Sequence, residues 1–345
     1  MTARIGIGLV GAGRMGSIHA RLIAGAVPEA QLVGIADLRL DAARRLADEV
    51  GGPPVFDSID ELLARTPCDA VLIAVASNGH LDAIRAAAGA GKGILCEKPL
   101  ALTLADTDAA IRVAGAAGTR LQVGFMRRWD PDYLRAKARL GSGEYGRPLL
   151  FKSLQFDTEP PPPNYADPGV SGGIMVDMGI HEFDLARWLM ADEVVEVHAF
   201  GSSLAHPALA TVGDVDSAVV NLRFAGGATG TVELARNTTY GEDVRTEVLA
   251  TAGSVWVGRL PLTHGASSSG GVGGTAGSIA SDTVDPRVPR FEMGYLEQTR
   301  AFVRVIADDR PVAVTGADGR AALAIALAAA RSMDEGRPVS VGGIP

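Results

Sequence analysis

The stretch "RIGIGLVGAGRMGSIHA", residues 4–20, constrains the fold more than any other in the chain. An apolar, β-branched run leads into a G-x-G-x-x-G formed by Gly11, Gly13 and Gly16, and a helix-like pattern follows. A strand that passes through a glycine turn into a helix leaves unpaired N–H groups at the helix start, which suits an anion. Gly11 permits the tight turn, Gly13 lets the backbone approach a pyrophosphate, and Gly16 allows close helix–strand packing. The next apolar run, 31–37, ends in Asp37, 21 residues after Gly16. An acid at that place accepts ribose hydroxyls and repels a 2′-phosphate. The expected cofactor is NAD, with NADP held open only by Arg39 nearby.

The rest of the first 125 residues keeps the same alternation. Strand-like runs at 4–10, 31–37, 69–75, 93–97 and 120–125 are separated by helical stretches at 41–50, 80–90 and 103–117. Continuous apolar strands between helices predict a doubly wound parallel sheet covered on both faces, an α/β Rossmann domain over 1–125. From about residue 150 the pattern changes to strands at 151–156, 194–200, 217–224, 228–236, 244–250 and 254–258. Their apolar/polar alternation predicts an open, mainly antiparallel sheet, hence an α+β domain over 126–345. Gly226-Gly227 and Ala252-Gly253 are read as hairpin turns. A strong helix is expected over 318–336, packed on one of the sheets, its own or that of the first domain. Pro160–Pro163 favour extended geometry, and the Gly/Ser tract 265–281 is expected to be a mobile surface loop.

Composition narrows the partners. A net charge of −8 over 345 residues disfavours nucleic acid and anionic membranes, which attract basic patches, and leaves a neutral small molecule open. Cys68 and Cys96 show no CxxC spacing and read as buried thiols in a reducing compartment. The longest strongly apolar run, 321–330, is far short of the ~20 residues that a bilayer needs, and no leader pattern precedes the first strand. A soluble cytoplasmic protein is the expectation.

Two sites carry candidate chemistry. In "GGIMVDMGIHEFDLARWLM", residues 172–190, Ile174, Met178, Leu185 and Leu189 recur at helical spacing, which predicts one buried helix. Asp177 and His181 interrupt its apolar stripe, four residues apart and therefore on one face. A carboxylate beside an imidazole fixes the free ring nitrogen and suits proton abstraction near neutral pH; the pair alone reads better as a core histidine bonded to its neighbour. In "CEKPL", Lys98 follows the fifth strand, at the carboxyl edge where doubly wound sheets bind ligands.

The chain resembles the Gfo/Idh/MocA oxidoreductases almost end to end. The resemblance is carried by "GAGRMG", "ASNGHLD" after the fourth strand, "EKP", "GFMRRWDPDY" and "GGIMVDMGIHEFDLARWL". It implies a catalytic trio of Lys98, Asp177 and His181. His181 is then the general base for a substrate hydroxyl, Asp177 orients it, and Lys98 positions the reacting oxygen. It also implies cofactor contacts from Gly11, Gly13, Arg14, Met15, Asp37, Ser77, Asn78, His80, Glu97 and Lys98, although His80 reads equally well as a cap on its helix.

Within the family the chain looks most like inositol 2-dehydrogenases, in "GFMRRWDPDY", in the proline-rich approach to "SGG", and in "RNTTYGEDVRTEV". That implies a polyol or sugar substrate met by Lys98, Arg127, Asp157, Asp177, His181 and Tyr240, with Lys152, Asn164 and Asn237 as further polar groups. Two positions depart from the expected pattern: Gly179, where a hydroxyl-bearing residue is expected, and Phe156 before Asp157, where an arginine is usual. An aldose or other sugar dehydrogenase, a ketoreductase, an NAD-dependent glycosidase and a dinucleotide-sensing regulator remain alternatives. A homo-oligomer, dimer or tetramer, paired through the open sheet face is also implied. No metal site is expected.

Overall fold

The structure, a computed structural model, describes residues 4–162, 165–239, 241–258, 266–268, 272–274 and 291–344. The chain divides into two compact units. One comprises Met1–Asp130 with Met293–Leu323, the other Pro131–Glu292 with Ala324–Ile344.

The first unit is built from β1 (Ile5–Val10), α1 (Arg14–Ala26), β2 (Ala30–Ala36), α2 (Leu40–Glu49), β3 (Val55–Phe56), α3 (Ile59–Arg65), β4 (Ala70–Ile73), α4 (His80–Gly89), β5 (Gly93–Glu97), α5 (Leu104–Ala116) and β6 (Leu121–Gly124). The six strands form one sheet in the order β3-β2-β1-β4-β5-β6, and every pairing is parallel. The order reverses between β1 and β4, the switch point at which such sheets open a crevice for ligands. Four-residue strands such as β4, "AVLI", are wholly buried, because helices cover both faces and leave no polar side to alternate with.

The second unit contains α6 (Pro131–Gly141), β7 (Pro148–Phe156), α7 (Pro168–Ser171), α8 (Gly173–Asp177), α9 (Gly179–Met190), β8 (Val194–Ser202), β9 (Ser217–Phe224), β10 (Thr229–Ala235), β11 (Asp243–Ala250) and β12 (Gly253–Val257). Two short strands, β13 (Ala266–Ser268) and β14 (Val272–Gly274), pair with each other. Then come α10 (Glu292–Ala307), α11 (Gly316–Glu335) and β15 (Val339–Ser340). Of these, α10 from Met293 onward and α11 as far as Leu323 belong to the first unit. The main sheet runs β12-β11-β7-β10-β9-β8-β15 and is antiparallel except for β7 beside β10. Alternation decides its faces: Phe151, Ser153 and Gln155 of β7 are buried or nearly so, while Lys152 between them is exposed. No described helix is long and apolar enough to cross a membrane.

Several expectations are corrected in detail. The predicted helix over 172–190 is two helices that meet at Met178. Asp177 therefore ends α8 and His181 lies in the first turn of α9; they do not share one face of a continuous helix. The hairpin before β10 uses three residues, Ala225 to Gly227, with Gly227 at φ +89° and its N–H bonded to the Phe224 carbonyl. This is the three-residue loop whose last position needs a left-handed residue. In the next hairpin Ala250 pairs with Gly253, so the turn residues are Thr251 and Ala252, one place earlier than expected. Of the Gly/Ser tract 265–281, only β13 and β14 fall among the described residues.

Candidate active site

In the first unit the candidate residues gather at the carboxyl ends of β1, β2, β4, β5 and β6. The three loop glycines are required for three different reasons. Gly11 stands at φ +103°, and a Cβ on it would lie 2.5 Å from the Ala74 carbonyl oxygen. On Gly16 a Cβ would lie 1.9 Å from the Gly11 carbonyl oxygen, so only glycine lets α1 start this close to the loop. At Gly13 a Cβ would meet no atom within 4 Å. Nothing in the fold forbids a side chain there; the open space is what a pyrophosphate needs.

The start of α1 fits an anion in a second way. It has no side-chain cap and no acid in its first turn, whereas α3 is capped by Ser58 and α5 by Thr103. Helix N-terminal N–H groups without such partners are open to a phosphate. Beside them, Asp37 Oδ2 accepts the Ala12 N–H at 2.7 Å and Oδ1 accepts the Arg39 N–H at 2.7 Å. These two bonds fix the carboxylate at the end of β2. The Arg39 side chain is largely exposed, its Nε 4.0 Å from Asp37.

Around Lys98 the packing is tight. His19, fully buried in α1, places Nε2 2.8 Å from Glu97 Oε1, which joins the helix of the glycine loop to the end of β5. His80 is also buried, with Nδ1 2.6 Å from the Pro99 carbonyl oxygen and Nε2 3.0 Å from that of Val75. Burial pushes its pKa below the ordinary histidine value, and a neutral ring has one N–H to give to one of these carbonyls. The His80 ring thus ties the end of β4 to the Glu-Lys-Pro turn. Ser77 is buried and Asn78 exposed in the 3-10 turn before α4; Arg14 is exposed and Met15 half-buried at the start of α1. Arg127 lies buried in the 3-10 turn Met126–Trp129 after β6.

In the second unit α9 lies on the inner face of the sheet, against β7 and β10. A buried polar chain fixes it there: Glu182 Oε2 receives the Ser153 hydroxyl, and Thr246 Oγ1 lies 2.8 Å from both Ser153 Oγ and Tyr133 Oη. His181, the neighbour of Glu182, is 6% exposed. Asp177 is held from two sides. Tyr165 donates its hydroxyl to Oδ1 at 3.3 Å, and Arg236 donates Nη2 to Oδ2 at 3.3 Å. Arg236 is not among the residues that sequence reasoning singles out. A charged residue directly after a strand end carries no local signal of burial.

Asp157 follows β7, and Arg236 follows β10. Because these strands are parallel and pair Phe156 with Ala235, both residues emerge at the same sheet edge. The Asp157 carbonyl accepts the Thr238 N–H and hydroxyl at 3.0 Å each. Lys152 is not brought to this edge: it stands on the outer face, 3.9 Å from Glu247. Asn237 is exposed, while Asn164 and Tyr240 lie outside the described residues. At Gly179 a Cβ would meet Phe183 at 3.0 Å and Leu234 at 3.1 Å. The packing of α9 on β10 leaves little room for a side chain there. Among the described residues no cluster of His, Cys, Asp and Glu could hold a metal ion.

A parallel sheet in this order, with an uncapped glycine-loop helix and an acid after β2, defines a dinucleotide-binding domain. Residues 5–125 match the oxidoreductase family with NAD-binding Rossmann fold, and residues 133–256 match the GFO/IDH/MocA C-terminal domain. The chain belongs to the GFO/IDH/MocA family and is an NAD-dependent oxidoreductase. It is 36% identical to a myo-inositol 2-dehydrogenase of Thermotoga maritima, over 97% of this chain and 98% of that one. It is 35% identical to an NAD(+) scyllo-inositol 2-dehydrogenase of Bacillus subtilis, over 99% and 97%. A crystal structure of scyllo-inositol dehydrogenase from Lactobacillus casei, with bound NAD(H) and scyllo-inositol, superposes with a TM-score of 0.86 at 28% identity, covering 99% of this chain and all of that one.

Proposed function

We propose that this protein oxidises a secondary hydroxyl of a cyclic polyol of the inositol type to a ketone. The observation that carries the reading is near-full-length similarity to enzymes named for myo- and scyllo-inositol. NAD, when bound, accepts the hydride from the carbinol carbon. Gly11, Gly13, Arg14 and Met15 hold its pyrophosphate at the start of α1, and Asp37 accepts the ribose hydroxyls. Ser77, Asn78, Glu97 and Lys98 line the strand ends beyond, and His80 supports them from beneath.

His181 takes the hydroxyl proton, and Lys98 donates a hydrogen bond to the same oxygen as it becomes a carbonyl. Asp177, with Tyr165 and Arg236 already donating to it, serves as a fixed acceptor that orients His181 and a substrate hydroxyl. Arg127, Asp157 and Tyr240 supply further hydrogen bonds to the polyol. A neutral polyol needs such donors and acceptors and no opposite charge. Cys68 and Cys96, buried free thiols, suit a reducing, cytoplasmic setting.

The test is reduction of NAD and of NADP over a panel of myo-inositol, scyllo-inositol and aldoses. The expected result is turnover of an inositol, with NAD preferred over NADP by about tenfold or more, since one lost hydrogen-bond pair plus a 2′-phosphate facing Asp37 costs at least ~1.4 kcal/mol. Turnover of an aldose with every inositol inert would overturn the substrate class.

The outer face of the second unit's sheet presents Leu249, Trp256, Val219 and Phe200, each a large apolar side chain at least 41% exposed. A patch of that kind across a sheet marks an interface between copies. We infer a homo-oligomer, dimer or tetramer, joined there. Light scattering of the purified protein should give a multiple of the 35.6 kDa chain mass, and Trp256→Glu should lower it; a monomer in both samples would refute the pairing.

A further inference from the structure

Arg236 and Asp214 form a buried ion pair that the reaction itself does not call for. Their side chains are 1% and 3% exposed, with Arg236 Nη1 2.5 Å from Asp214 Oδ2. Taking both charges out of water costs several kcal/mol per ion, and a buried pair of this kind does little for stability compared with apolar residues of the same volume. The contacts it makes say what it is for. Arg236 gives its other terminal nitrogen, Nη2, to Asp177 Oδ2 at 3.3 Å. Asp214 gives its other oxygen, Oδ1, to the N–H of Ile174 at 2.9 Å. Ile174 lies in the first turn of α8 and Asp177 is its last residue.

We infer that the Arg236–Asp214 pair is a positioning device for Asp177, gripping both ends of the short helix that carries it. The inference rests on the reading that Asp177 takes part in the reaction. A helix of five residues cannot hold its own conformation, because nucleation is unfavourable and its end groups lack internal partners. Here the ring of contacts Ile174–Asp214–Arg236–Asp177 closes on itself through the helix.

The pair is itself anchored. The Arg236 N–H bonds to the Asp216 carbonyl at 2.9 Å. The Asp216 carboxylate accepts the N–H groups of Ala205 and His206 at 2.7 Å each. Gly173 makes the carboxylate's approach possible, since a Cβ there would lie 3.0 Å from Asp214 Oδ1 and the residue adopts φ +69°. The planar fork of arginine suits this place. A lysine ammonium would keep the charge without two donors held in one plane for two carboxylates.

Removing Arg236 alone would strand Asp214 as a buried, unpaired charge, so the decisive variant is the double substitution Arg236→Met with Asp214→Asn. The introduced asparagine keeps an oxygen for the Ile174 N–H, no buried charge is left over, and besides the grip on Asp177 a 3.4 Å contact from Arg236 Nη1 to the Val215 carbonyl is lost. The expected result is a wild-type melting temperature and a wild-type Kd for NADH. The kcat for the preferred polyol should fall about 100-fold, the effect of a displacement on the order of 1 Å in a reacting group. Amide exchange across 173–178 should quicken, and Arg236→Lys should also lower kcat with the melting temperature kept.

Wild-type kcat and wild-type exchange in the double variant would overturn the inference. Asp177→Asn separates the two claims. A wild-type rate in that variant would refute the catalytic reading of Asp177, whereas a slow Asp177→Asn beside a fast double variant would refute only the positioning device.

Discussion

Replacement of His181 by asparagine is expected to lower kcat by about 10²–10⁴, the usual worth of a positioned general base. The melting temperature and the Kd for NADH should stay near wild type. The reasoning starts from α9. It buries Phe183, Leu185 and Leu189 almost completely, and the Glu182–Ser153–Thr246–Tyr133 chain ties it to the sheet. None of these involves the His181 ring, and asparagine preserves a polar group of smaller size at that site. The pH dependence offers a second readout. The rising limb of kcat/KM that a titrating base produces should vanish in the variant. A core histidine of purely structural use would behave the other way, with a lower melting temperature and an unchanged pH profile in what activity remains; that outcome would refute the assignment.

Gly13→Ala and Gly11→Ala should separate cofactor binding from folding. At Gly13 the added methyl meets no protein atom within 4 Å, so the fold should be unaffected. The methyl would, however, occupy the space left for the pyrophosphate, and NAD affinity should fall by tenfold or more, ~1.4 kcal/mol. At Gly11 the same methyl lies 2.5–2.7 Å from the backbone of Ala74 and Val75, on a residue at φ +103°. Left-handed backbone costs an L-residue roughly 1–2 kcal/mol, and overpacking adds about 1–3 kcal/mol. That variant should lose both stability and NAD binding. Isothermal titration with NADH beside thermal unfolding distinguishes the two. Unchanged titration of Gly13→Ala would show that the loop does not hold the pyrophosphate.

Much of this is legible in the residues because the signals are local. A β-branched run, a glycine triplet and an acid at the next strand end determine where five of the six parallel strands go, and their observed ends differ from the expected ones by only a few residues. The two-residue β3 and the helix α3 after it are too short to stand out. Asp177 and His181 stand out as ionisable groups in an apolar stripe, and Lys98 by its place after the fifth strand, at the carboxyl edge of the sheet. What stays hidden depends on distant partners. The break at Met178 carries no proline, and Gly179 beside it reads as readily as an ordinary helical glycine. Arg236 is buried only because Asp214 and Asp177 come to it from 22 and 59 residues away. Lys152 faces outward because β7 places alternate residues on opposite faces, and the choice of face is made by the sheet's neighbours. Leu296, Phe302 and Val303 of α10 recur at helical spacing, yet their place in the first unit's core lies beyond any local pattern.

That last placement bears on how the protein comes to exist. Leu296, Phe302 and Val303 belong to the same apolar cluster as Ile7, Leu9, Ile23 and Leu95, and Ile306 closes over Gly93. On a ribosome that extends the chain by roughly 5–20 residues each second, the dinucleotide domain is translated early but waits for more than 160 further residues before its core is sealed. During those seconds an apolar flank of the nascent domain is open to chaperones or to other chains, and a fragment ending at residue 130 would keep that flank for good.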